Sequence, residues 1–308
     1  MERGSLWVGG QPWVPQGGEM NYIQLLEESA RDVGNCACMG LDPQLSLIPQ
    51  GEDGDVRKSL NDYFTQLFRR MSLCGLAPAA FKPNIGYYVA LDNPRDEDFC
   101  GSLALGDVLD LVENFFPSIP IILDSKRGDI ARSSQNYAIE AFDKWRVQAV
   151  TVAPYMGSDS IQPFVENYGN NGIYILDRTS NPGGKDLQNA MIADTPLYLV
   201  VASHISDLSK KHPGVDAVVG ATNMDELKSI VSYYHDSPVP LLIPGVGSQG
   251  GSAQVVVATL RSVGYPLSLV RVNSSSGLTH PWKKAPVPED WLDQCIENIR
   301  LLIQETSL

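Results

Sequence analysis

The segment Asp124-Ser125-Lys126-Arg127-Gly128-Asp129 places four charges of mixed sign directly after the apolar run Ile121-Ile122-Leu123. Charged side chains are rarely buried unless they are paired or functional. Side chains alternate across a strand, so Asp124 and Lys126 share a face while Ser125 points away. A lysine held beside carboxylates is a fixed ammonium. It can stabilise negative charge developing on a substrate and then supply a proton. Lys82, in Phe81-Lys82-Pro83-Asn84, joins the set if its strand lies alongside. Plainer readings exist for each: Lys82 reaching water from a strand end, Asp129 capping the helix that follows it, and Arg127 pairing on the surface.

Other polar groups follow apolar runs in the same way. Asp42 follows Gly40-Leu41, and Ser180 lies in Thr179-Ser180-Asn181-Pro182-Gly183, where it is placed to hydrogen-bond a heterocycle or simply to build a turn. Pro244-Gly245-Val246-Gly247-Ser248-Gln249-Gly250-Gly251 opens a helix, and its backbone N–H groups suit a phosphate. His204, His212, His235 and His280 have no zinc-like spacing, and there is no nucleophile elbow or His/Asp/Glu metal cluster in the sequence. Lysines and carboxylates therefore remain as the chemical equipment.

These residues must be positioned by the elements that precede them. Apolar runs predict strands at Cys38–Leu41, Ala79–Lys82, Pro120–Leu123, Ala149–Ala153, Ile173–Leu176, Ala217–Val219, Pro240–Ile243 and Leu269–Val272. Helical periodicity lies between several of them. Val56, Leu60, Phe64, Leu67, Phe68 and Met71 form one stripe, with Gly75 as its stop. A closing helix starts near Pro288-Glu289-Asp290 and carries Trp291, Leu292, Cys295, Ile296, Ile299, Leu302 and Ile303. Eight strands alternating with helices predict a single-domain α/β fold, a (β/α)8 or TIM barrel over residues 20–308. The alternative is a doubly wound open sheet, but no Gly-x-Gly-x-x-Gly fingerprint follows the first strand. Residues 1–19, rich in Gly, Pro and Gln, read as a flexible extension.

The chain has 308 residues and a net charge of −13, which disfavours a nucleic-acid-binding surface. No apolar run approaches a membrane-spanning length, and the amino terminus lacks the pattern of a secretory signal. Cys36, Cys38, Cys74, Cys100 and Cys295 make no disulfide framework, which fits a reducing cytoplasm.

Taken in order, seven motifs resemble the orotidine 5′-phosphate decarboxylase family, most closely its longer bacterial form. They are Gly40-Leu41-Asp42-Pro43, Phe81-Lys82-Pro83-Asn84, Asp124-x-Lys126-Arg127-Gly128-Asp129-Ile130, Pro154-Tyr155-Met156-Gly157, Thr179-Ser180-Asn181-Pro182-Gly183, Val219-Gly220-Ala221-Thr222 and Pro244-Gly245-Val246-Gly247-x-Gln249-Gly250-Gly251. The resemblance runs from about Met20 to the carboxyl terminus. It implies a lyase of pyrimidine biosynthesis that converts orotidine 5′-phosphate to UMP without cofactor or metal, as a homodimer with sites at the subunit interface.

By the same resemblance, Lys82, Asp124, Lys126 and Asp129 form the catalytic network, with Asp129 supplied by the partner subunit. Lys126 stabilises and protonates the C6 carbanion. Asp42 and Lys82 hold ribose hydroxyls, and Ser180 meets the pyrimidine amide edge. Pro244, Gln249, Gly250 and Gly251 form the phosphate loop. Two departures stand out. Ser133 occupies the place of a family threonine and keeps the hydroxyl. Ser276 occupies the place of a phosphate-binding arginine. Losing that charge-assisted contact costs about 1.5–3 kcal/mol, or roughly ten- to hundredfold in affinity, unless Arg271, Lys283 or Lys284 replaces it.

The residues leave rivals open: a magnesium-dependent sugar-phosphate decarboxylase or synthase sharing Asp-x-Lys-x-x-Asp, a silent nucleotide-binding barrel, and a Schiff-base aldolase using Lys126. The last is disfavoured because adjacent acids favour the protonated amine.

Overall fold

The computed structural model describes residues 20–51, 54–247 and 250–308; the predicted extension at 1–19 lies outside them. Eight parallel strands among these residues form one sheet: β1 (Ala37–Gly40), β2 (Ala80–Lys82), β3 (Ile122–Arg127), β4 (Ala149–Val152), β5 (Gly172–Arg178), β6 (Val215–Val219), β7 (Leu241–Ile243) and β8 (Val270–Ser274). Their spatial order is β2-β1-β8-β7-β6-β5-β4-β3. Bridges Phe81–Ile121 and Asn84–Asp124 join β2 to β3 and complete the ring. This is the eight-stranded α/β barrel that the alternation of elements predicts. Two strands run further than their apolar runs, β3 to Arg127 and β5 to Arg178. The polar residues at their ends still pair with the neighbouring strand, across register shifts. A small hairpin, Met191–Ile192 with Thr195–Pro196, is an addition the periodicity did not signal.

Local chemistry sets the helix ends. Asn21 caps the helix Tyr22–Val33 in a capping box with Gln24, and Gly34 ends it in the left-handed region at φ 69°. The helix Val56–Leu73 buries the expected Leu60, Phe64, Leu67, Phe68 and Met71, and Trp291–Glu305 buries Cys295, Ile296, Ile299 and Leu302. Such helices pack on the outward strand residues Met39, Phe81, Leu123, Val150, Ile173 and Ile175 in one large core. Burying each large apolar side chain there contributes about 1.5–3 kcal/mol.

The inward faces follow the period of two. Near the amino ends of the strands, Arg271, Asp216 and Tyr174 are buried, and the helix Tyr22–Val33 seals that end. The Tyr22 and Tyr174 hydroxyls lie 3.0 Å apart. Arg271 Nη2 donates to the Leu26 carbonyl and, at 2.8 Å, to Ser29 Oγ, while its Nε donates to the Ala79 carbonyl at 3.1 Å. Two residues further along each strand the chemistry changes, and Lys82, Asp124, Thr151, Leu176, Val218, Leu242 and Asn273 line an open cavity. The carboxyl ends of the strands carry this cavity, as barrel architecture requires. Among the described residues, no helix is long and apolar enough to cross a membrane.

Candidate active site

The cavity has a volume of about 460 Å3, and Asp124 is its electrostatic centre. Lys82 Nζ reaches Asp124 Oδ2 at 2.7 Å, and Lys126 Nζ reaches Oδ1 at 2.6 Å. Burial pushes the Asp124 carboxyl up, but the two ammonium groups outweigh it and hold the group well below the usual carboxylate range. Burial likewise opposes the charge on Lys82, yet Asp124 and Asp42 raise it above the ordinary lysine value. The lysines differ in access: the Lys82 side chain is 4% exposed and that of Lys126 is 48% exposed. One lysine anchors the carboxylate from within the barrel; the other presents an ammonium to whatever enters.

The backbone beneath this pair departs from regular strand geometry. Leu123 pairs with Val150 and Arg127 with Val152, so β3 carries two residues more than β4 across the same interval. Lys126 sits in the left-handed region at φ 47°, which costs a non-glycine residue about 1–3 kcal/mol. Thr151 Oγ1 accepts from the Ser125 and Lys126 N–H groups at 3.1 and 2.9 Å, and donates to Asp124 Oδ1 at 2.9 Å. The alternation rule thus brings Asp124 and Lys126 together, though through a bulge rather than a flat strand.

Around this centre the loops supply further polar groups. Asp42 Oδ1 accepts from the Asn84 N–H at 3.1 Å. The Ser180 loop is held from behind by Gln188: its Oε1 accepts from the Thr179 N–H at 3.0 Å and from Arg178 Nη1 at 3.0 Å. Arg178 in turn pairs with Glu226 at 2.8 Å. Gly220 passes so close that an added Cβ would lie 2.8 Å from both Ser180 N and Cα, leaving room only for glycine. Ser275, Ser276 and His280 line the wall after β8. Burial lowers the pKa of His280, with Asp42 opposing.

The structure brings Asp42, Lys82, Asp124, Lys126, Ser180, Pro244 and Ser276 to this one cavity. Asp129 and Ser133 are half-buried on the neighbouring loop and helix and do not line it. Asp129 does not cap that helix; its Oδ1 accepts from the adjacent Ile130 N–H at 2.7 Å. Arg127 pairs with Glu140 at 2.9 Å and lies over the Tyr137 ring. Gln249 lies outside the described residues. The Gly250 and Gly251 N–H groups donate within their own loop, to the Gly247 and Gly245 carbonyls at 2.9 and 3.0 Å.

Arg271 is no substitute for a cation at position 276. It faces inward at the opposite end of the barrel, where backbone carbonyls hold its guanidinium. Among the described residues lining the cavity, Asp42, Lys82, Asp124 and Lys126 are the carboxylates and amines, two of each sign. Thr151, Asn273, Asn84, Tyr87 and His280 also line it and were not foreseen as site residues. Thr151 and Asn273 occupy inward positions that the period of two could have indicated. His280 carries no such signal, because it ends the short helix Ser276–Thr279 after β8, beyond the reach of strand alternation.

Fold and site together define a (β/α)8 barrel whose carboxyl-end cavity is built on a Lys-Asp-Lys charge array. A family model described as Orotidine 5'-phosphate decarboxylase / HUMPS family matches residues 38–261. The orotidine 5'-phosphate decarboxylase of Bordetella avium (strain 197N) is 37% identical over 284 residues, covering 91% of this chain and 96% of its own length. That of Verminephrobacter eiseniae (strain EF01-2) is 36% identical, with 79% and 85% covered. The solved OMP decarboxylase of Leishmania donovani superposes with a TM-score of 0.68 at 29% identity, covering 92% of this chain and all of that one. The chain belongs to the orotidine 5'-phosphate decarboxylase / HUMPS family.

Proposed function

We propose that this cavity decarboxylates orotidine 5′-phosphate to UMP. The observation that carries the reading is the clamp on Asp124, with one buried and one accessible ammonium at 2.7 and 2.6 Å. When the C6–carboxylate bond breaks, the electron pair stays in an in-plane orbital at C6 that the ring π-system does not delocalise. A fixed ammonium lowers the energy of that charge, and its N–H then supplies the proton that completes UMP. Lys126 has the access for both tasks. Water returns the proton to the amine. Asp124 directs the Lys126 ammonium, and Leu176, Val218 and Leu242 give the cavity floor an apolar part.

In this reading Asp42 and Lys82 hold the ribose hydroxyls and Ser180 meets the pyrimidine amide edge. The 5′-phosphate lies between the 244–251 loop and Ser276. With the wall charges balanced, hydroxyls and amides carry most of that contact. A second copy of the chain brings Asp129 to the network. Loss of orotidine 5′-phosphate absorbance in buffer containing a chelator tests the activity. Turnover that Lys126→Ala abolishes, with the thermal melt preserved, supports the assignment. Stabilisation by UMP without turnover points instead to a silent nucleotide-binding barrel, and near-normal turnover by Lys126→Ala refutes the mechanism.

A further inference from the structure

We infer that Thr151 is a positioning residue for the Asp124–Lys126 pair. It acts through the decarboxylating pair proposed above and so rests on that reading. Between Leu123 and Arg127, β3 advances four residues while β4 advances two, from Val150 to Val152. Such a bulge leaves strand N–H groups without ladder carbonyls, and buried N–H groups need acceptors. Thr151, the single β4 residue opposite the bulge, takes the Ser125 and Lys126 N–H groups on its hydroxyl oxygen. Its own proton goes to Asp124 Oδ1, the oxygen that also receives Lys126 Nζ.

Two bonds accepted and one donated fill the capacity of a hydroxyl. The side chain is 2% exposed, and β-branching restricts its rotation in a strand. One oxygen thus ties the left-handed backbone of Lys126 to the carboxylate that directs its ammonium. Valine at this position keeps the shape and removes all three bonds. Serine keeps the bonds without the methyl.

The test compares kcat, KM, UMP inhibition and thermal melts of Thr151→Val and Thr151→Ser, with Lys126→Ala run in parallel. Thr151→Val is expected to lower kcat by about 10- to 100-fold while KM and the UMP inhibition constant stay within about threefold, because misplacement affects the reacting group rather than ground-state binding. Thr151→Ser is expected to recover kcat to within about fivefold of wild type. Thr151→Ala, which also lacks the hydroxyl, carries the same expectation if the valine variant does not fold. Wild-type kcat in Thr151→Val with Lys126→Ala inactive overturns the positioning role alone. So does a serine variant as impaired as the valine, or a loss of UMP binding in proportion to kcat. Turnover retained by Lys126→Ala overturns the decarboxylation mechanism and the role of Thr151 with it.

Discussion

Asp124 serves two amines in different surroundings, and Asp124→Asn affects each in its own way. Lys82 lies inside the barrel at 3% exposure and loses the counter-charge that offsets its desolvation. Removing one partner of a buried pair costs about 3–5 kcal/mol, so the neutral-pH melting temperature is expected to fall. Lys126, half exposed, remains solvated but loses its direction, so turnover is expected to fall with it. The pH dependence has a definite sign. The folded carboxyl titrates below its ordinary value of 3.8, so its stabilisation is fully present above about pH 4 and is lost as pH falls through the folded value. The asparagine variant lacks this acid limb, and its stability deficit is expected to narrow below pH 4. Superimposable melts at pH 7 would contradict the pairing.

Several barrel strands hold a cavity residue toward one end and a structural one toward the other, and on β6 the structural residue is a carboxylic acid with an opposite pH signature. Asp216 is fully buried, and neither of its side-chain oxygens has a hydrogen-bond partner. Burial pushes its pKa well above 3.8, with Arg271 opposing. The folded chain therefore keeps a proton that the unfolded chain releases. That stability is complete below about pH 4 and declines as pH rises toward the folded value. Asp216→Asn, which needs no proton, is expected to melt higher than wild type at pH 8 and to lose the advantage near pH 4–5. Parallel melting curves across that range would show that Asp216 is not the group responsible. Sequence periodicity gives the face of such residues well. All eight strands were legible because their apolar runs are buried on both sides. The inward faces of β3 and β2 likewise made Asp124, Lys126 and Lys82 legible. Height along the barrel was harder to read, which is why Arg271 could be imagined beside a phosphate. Thr151 was obscured because threonine is an ordinary strand former. Gln188 and His280 lie at the ends of short helices after β5 and β8, where strand alternation does not tell which side chain turns inward.

At the scale of the whole molecule, the proposed network takes Asp129 from a second chain. Asp129 lies outside the cavity, on a loop whose neighbours include Ile130, 59% exposed, and, across the Gly128–Ala153 contact, Tyr155 at 81% exposed. Large apolar side chains left on a rim beside a charged residue suit an interface, and the proposed homodimer covers them while delivering Asp129 to the neighbouring site. A shared site makes a prediction that a self-contained one does not. Lys126→Ala and Asp129→Ala are each expected to be inactive as pure proteins. Co-refolded in equal amounts, about half of the dimers are mixed, and each mixed dimer has one site with both residues intact and one with neither, so about a quarter of wild-type activity should return. Activity that stays absent while sizing and mass analysis show mixed dimers would place Asp129 in its own subunit's site. Full activity in Asp129→Ala alone would remove it from the chemistry.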